Sequence, residues 1–207
     1  VAGWLLAAVG LVVALPLDAA LVELWPSLTR DGQAGPLAAG AAGGVLAGVV
    51  LAWRVPFLLV LDHEIAHLLA ALVCLRKPRG LSVGEDRGQA VYDAGRGSVV
   101  ILLAPYAWPW LAWLGCVLHE VVRTELREAA VIGIGAALGF SAVRIALDLR
   151  PHQSDLRRVG LLRAGLSVLA WGPLGFAVPA LWALGGWEEL QTWAAQAIAL
   201  AGGLLGA

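Results

Sequence analysis

The sequence predicts an all-α polytopic membrane protein of six or seven transmembrane helices, with a small β-hairpin after the third span. Three observations carry this reading. Of the 207 residues 60% are hydrophobic and 14% charged, where soluble domains carry about a quarter charged residues. Mean hydropathy is +0.81. Apolar windows near the roughly 20 residues that a helix needs to cross a bilayer recur along the whole chain. A soluble globule of this size cannot bury so much apolar side chain, so much of it faces lipid. Disordered chains, secreted disulfide scaffolds and free cytosolic enzymes are thereby excluded. The net charge of −1 comes without a long block of like charge, so no nucleic-acid partner is expected. Cys74 and Cys116 lie in separate apolar runs and read as small hydrophobes.

The windows fall near 3–24, 36–53, 56–75, 98–119, 129–147, 165–185 and 189–206, within a single domain spanning 1–207. No Lys or Arg precedes the first window, which is longer than a signal-peptide core, so a retained span is expected. The last begins amphipathically at Trp187, Glu188 and Glu189 and reads either as a seventh span or as an interfacial helix. Trp4, Trp25, Trp53, Trp108, Trp171 and Trp187 fall near window ends, as an interfacial aromatic belt requires. Trp108-Pro109-Trp110 reads as part of that belt, with a kink of the fourth span as the alternative. Gly40, Gly44 and Gly48, and again Gly135 and Gly139, recur every four residues, a spacing that lets helices approach closely. With seven spans, ten basic residues lie in the loops at 25–35, 76–97 and 148–164, and three lie on the opposite side. The positive-inside rule then places those loops in the cytoplasm. Between Gly80 and Ser98, Leu81, Val83, Ala90, Val91 and Tyr92 alternate with polar residues around Gly84 and Gly88. This is the pattern of a hairpin; an ordinary charged loop is the alternative.

The third window holds Asp62-His63-Glu64-Ile65-Ala66-His67, an H-E-x-x-H sequence. Residues four apart share a helix face, so both imidazoles can hold one Zn²⁺, and Glu64 can act as the base that takes a proton from water. Ionisable side chains in mid-span cost about 3 kcal/mol each unless paired, ligated or hydrated. Three within five residues argue for a metal or a polar cavity; histidines hydrogen-bonded within the bundle are the competing explanation. A catalytic zinc takes three protein ligands. His119 falls at the opposite end of the fourth window. Asp155, Asp148 and His152 lie on the cytoplasmic side and are favoured in that order. Arg144 and Asp148, four apart, favour a mutual ion pair, and for Asp155 a plain helix N-cap is the alternative.

An H-E-x-x-H within a span, a hairpin after it and a later cytoplasmic-side Asp resemble the site-2 protease family of intramembrane zinc metalloproteases. The likeness is to its short bacterial members without a PDZ domain. It runs through His63-Glu64-Ile65-Ala66-His67-Leu68-Leu69-Ala70-Ala71-Leu72, the Gly-rich stretch to Arg96, Leu103-Ala104-Pro105-Tyr106 leading to Pro109, and Ser154-Asp155 before Leu161 and Leu162. It covers about residues 55–170. Where the family commonly has an Asn-Pro segment ending in Leu-Asp-Gly, this chain has Ala146-Leu147-Asp148 with neither Gly nor Asn-Pro; Ser154-Asp155 matches a variant form. The resemblance implies zinc on His63, His67 and Asp155, water activation by Glu64, and hydrolysis of peptide bonds in or next to transmembrane segments of membrane-protein substrates. It also implies a multi-pass protein of a bacterial cell membrane with its active site toward the cytoplasm. The competing functions are a non-hydrolytic zinc-binding scaffold or regulator and a metal or solute transporter; two halves related by an internal repeat, which many transporters show, are not seen.

Overall fold

The computed structural model describes residues 8–10, 12–20, 32–85, 87–93, 99–151 and 153–205. A short apolar helix α1 (Ala8–Ala20) is followed by α2 (Ala34–Arg54), α3 (Pro56–Val73), β1 (Pro78–Val83), β2 (Gly88–Tyr92), α4 (Val99–Ala107) and α5 (Trp110–Val121). A 3₁₀ turn (Thr124–Leu126) then leads to α6 (Arg127–Asp148), α7 (Ser154–Val159) and α8 (Leu161–Leu205). Among the described residues four helices are long and apolar enough to cross a membrane: α2, α3, α6 with its preceding turn, and α8. Counting α4 and α5 as one bent span makes five.

The difference from six or seven has three sources. Of the first window only α1 is described, which by itself falls short of a crossing length, and the ends of the window lie outside the described residues together with Trp4 and Trp25. The last two windows lie on either side of Gly186, where φ of 66° and ψ of −145° divide α8 into two helices at a residue without a Cβ; taken as one stretch they count as a single span. The fourth window is broken: α4 and α5 meet at 73°. The Trp108-Pro109 pair is therefore a kink and not simply an interfacial anchor. Proline supplies no N–H and drives the residue before it out of the α region. The same rule ends α2 at Arg54, with Val55 out of the α region at φ −144° and ψ 62° before Pro56 opens α3.

Lipid offers no hydrophobic drive between helices, so close packing must bind them. The α2–α6 pair shows how. A Cβ at Gly44 would overlap the Ala136 carbonyl oxygen, and one at Gly139 would overlap that of Ala41, so the two backbones touch. Elsewhere Ala112 and Cys116 of α5 pack with Ile134 of α6 and Ala183 of α8. Trp193 of α8 donates its indole N–H to the Leu17 carbonyl of α1 at 2.7 Å. Cys74 and Cys116 are free thiols.

The predicted hairpin is present. Strands β1 and β2 pair antiparallel with Val83 opposite Gly88 and Leu81 opposite Ala90, and an irregularity falls between Pro78 and Gly80. Gly84 N–H donates to the Arg87 carbonyl at 2.7 Å across the turn, and Arg79 pairs with Asp93. Helix α3 hands over to it through Leu75 at φ 56°, with Arg76 N–H reaching back to the Ala71 carbonyl at 2.7 Å. Tyr92 packs at the edge of a small core of Ala70, Ala71, Ile101 and Ala104, which seats the sheet beside α3 and α4.

Candidate metal centre

His63 and His67 project from one face of α3, both buried, with ring centroids 4.9 Å apart. Asp155 comes from the first turn of α7. That helix is only six residues long, and its placement comes from Leu156 and Val159, which pack on Leu102, Leu103 and Tyr106 of α4. Arg157 Nε donates to the Pro151 carbonyl at 3.2 Å, tying α7 to the turn that follows α6. The result brings Asp155 Oδ2 to 3.2 Å from His67 Nε2 and 3.6 Å from His63 Nε2. Burial alone would raise the Asp155 carboxyl, but the two imidazoles outweigh it and hold the group below the usual carboxylate range. It is ionised at neutral pH, the form in which a carboxylate ligates metal.

The hydrogen bonds on the far side of each ring fix what the near side offers. His63 Nδ1–H donates to Asp148 Oδ2 at 2.7 Å, and His67 Nδ1–H donates to the Ile101 carbonyl at 2.8 Å. Both acceptors can only accept, so in the neutral rings each Nε2 carries a lone pair. Two lone pairs and a carboxylate oxygen thus converge within 4.8 Å of one another. Three acceptors facing one another repel unless a positive charge lies among them. Protonating both rings would set two cations side by side in a buried site; a single metal ion satisfies all three without that repulsion. Ligand atoms held about 2.0–2.1 Å from a tetrahedral metal stand about 3.3–3.4 Å apart, close to the two separations observed. His63, His67 and Asp155 could therefore hold a metal ion.

Glu64 is buried beside this triplet. A Cβ at Gly88 would overlap its Cγ, so β2 lies directly over Glu64 at a residue that leaves room. A cleft of about 340 Å³ opens here, lined by Val60, His63, Glu64, Arg87, Gly88, Asp148, Gln153, Ser154 and Asp155. A larger groove of about 510 Å³ along α3, α4 and α8 is walled by apolar residues such as Leu103, Trp108 and Trp171. It contains none of these titratable groups, so the chemistry belongs to the smaller cleft.

Asp148 occupies a different place from the ligand position considered for it. It receives His63 Nδ1–H and also lies 3.4 Å from Arg144 NH1, the expected i,i+4 pair. Arg144 is wholly buried and its Nε stands 2.5 Å from Asp62 Oδ2. The chain Asp62–Arg144–Asp148–His63 orients the ring by its outer nitrogen, as partners of metal-bound histidines do. His119 lies far along α5 beside Glu120, and His152 lies outside the described residues. Ile101, Gly88 and Tyr106, whose ring packs edge-on against His63, are not recognisable as site residues from spacing alone. In comparisons with known proteins, the chain matches no family model, no curated protein and no solved structure.

Proposed function

We propose that the chain is an intramembrane zinc metalloprotease of the site-2 type, hydrolysing peptide bonds in or next to transmembrane segments of membrane-protein substrates. The observation that carries this is the convergence of His63 Nε2, His67 Nε2 and Asp155 Oδ2 beside the Glu64 carboxylate in a cleft of the third helix. Zinc, when bound by these three residues, supplies Lewis acidity that polarises a carbonyl and acidifies water. Glu64 takes the proton of the attacking water on its carboxylate and passes it to the amide nitrogen of the departing segment. Asp148 holds His63 in the required tautomer, and the Ile101 carbonyl does the same for His67. Because a helix ties its carbonyls into its own hydrogen bonds, a substrate segment has to unwind locally before it can be cut. The basic residues of the hairpin and of the segment from Arg150 to Arg163 support a cytoplasmic-facing cleft, and the resemblance to short bacterial members supports a bacterial cell membrane.

The test uses the purified chain in liposomes with fluorogenic transmembrane peptides. Glu64→Gln should retain one equivalent of zinc and lower cleavage by about 10²–10⁴-fold. His67→Ala and Asp155→Ala should lose the metal as well. Zinc uptake with cleavage indifferent to Glu64, or no cleavage by the native chain, would favour the non-hydrolytic scaffold.

A further inference from the structure

The larger, apolar groove has a direction. Val73 of α3, Val100 of α4 and Ser167 of α8 line one end, and Trp108, Gly175 and Val178 line the other. Helices α4 and α8 run the same way along it: Ala164 and Val168 share a core with Leu102 and Leu103, and a Cβ at Gly175 would overlap the Ala107 carbonyl oxygen. The second end is closed where the chain bends by 73° between α4 and α5. Trp113 is fixed there by its indole N–H, which donates to the Gly175 carbonyl at 3.2 Å. From Ser167 to Val178 the helix rises about 16 Å, the hydrocarbon depth of one leaflet, which is half of about 30 Å.

Size and depth select the occupant. An embedded helix of that length fills roughly 1,300–1,900 Å³ with its side chains, far more than the groove's volume of about 510 Å³, and a transmembrane segment would cross both leaflets. A single acyl chain enters from one leaflet and needs only a narrow slot. The open end is also where positive charge gathers. Arg76 and Lys77, both exposed, follow the last turn of α3, and Arg163 stands one turn before Ser167 on the same face of α8. Beside this mouth Leu72, Val73 and Leu75 are 52%, 71% and 94% exposed, so the surface around it is apolar up to the level of the basic residues. That is the order of groups a phospholipid presents, a charged head above a hydrocarbon tail.

We propose that this groove is a binding site for one anionic phospholipid, an acyl chain lying along α8 from Ser167 to Val178 and the headgroup at the mouth with Arg76, Lys77 and Arg163. The site requires neither the metal nor Glu64. The full chain, purified in detergent and stripped of lipid, is titrated with phosphatidylglycerol or phosphatidylcholine and read by native mass spectrometry. One phosphatidylglycerol should bind per chain, more tightly than phosphatidylcholine. Lys77→Gln should reduce that preference about fivefold, the effect of one basic residue near an anionic headgroup. Val100→Trp at the mouth and Ala107→Leu deeper in the slot should each weaken binding about tenfold or more by occupying it, with thermal melting of the lipid-free chain unchanged. Val117→Trp adds the same bulk at an exposed position of α5 outside the groove and should leave binding as it was. Equal affinity for the two lipids, binding indifferent to both groove variants, or an equal loss in Val117→Trp overturns the proposal. So does a transmembrane peptide, or a second copy of the chain, that associates with the native protein, is released by Val100→Trp and is not displaced by phosphatidylglycerol.

Discussion

Along α6, Gly135 and Gly139 bring the helix backbone onto Leu37 and Ala41 of α2, whereas little more than a turn further on Arg144 and Asp148 meet Asp62 and His63 through charge. The first contact is made from atoms that lipid would tolerate equally well. It is specific because only a residue without a side chain allows the approach. The second is made from groups that lipid rejects, each tolerable there because another answers it. One helix thus joins a region whose purpose is adhesion to a region whose purpose is holding two imidazoles in a fixed pose, and the two should respond differently to substitution.

The largest response is expected at Arg144. Arg144→Met leaves the buried Asp62 and the half-buried Asp148 without their cation and should lower stability by about 3–5 kcal/mol, read by denaturation in detergent. Adding Asp62→Leu should recover part of that loss; no recovery would mean that the arginine acts by packing. Next comes Asp148→Asn, which keeps the shape but weakens the acceptor of His63 Nδ1–H. Zinc affinity should fall by about 10–100-fold with the fold intact, measured by dye competition. Gly139→Ala and Gly133→Ala then make the same change in one helix with opposite signs. A Cβ at Gly139 overlaps the Ala41 carbonyl, while one at Gly133 meets nothing within 4 Å. The first should cost about 1–3 kcal/mol; the second should be neutral or gain up to about 1 kcal/mol in helix propensity. Equal effects at the two positions would erase the distinction between the two regions of α6.

Much of the centre was legible because its logic is local. The four-residue step from His63 to His67 makes sense on any helix, and Glu64 follows from its place beside His63. The glycine steps in α2 and α6 likewise stated their own purpose. Asp155 could be ranked because it follows a span that ends on the same side as the H-E-x-x-H helix. What stayed hidden depends on contacts between elements. Asp148 offered an adequate local explanation in Arg144, four residues back, and nothing in the spacing showed that the same oxygen would also accept from an imidazole 85 residues earlier. Gly88 looked like a turn residue, yet it is a strand residue chosen for the carboxylate beneath it. The fourth window is apolar from end to end, so hydropathy leaves the kink at Trp108-Pro109-Trp110 only as the alternative to an interfacial anchor, where Pro109 in fact imposes a bend.

That bend bears on how the protein is made. Helix α4 has nine residues and α5 twelve, rises of about 13 Å and 18 Å against a hydrocarbon layer of about 30 Å. Neither can be released into the bilayer as a free-standing segment, and the unpaired backbone at the corner needs a protein wall, which fully buried Pro109 already has. During biosynthesis this hairpin of half-length helices must therefore wait for α8 to be translated before it settles. A helix synthesised well after the third one thus completes the chamber that the third helix began.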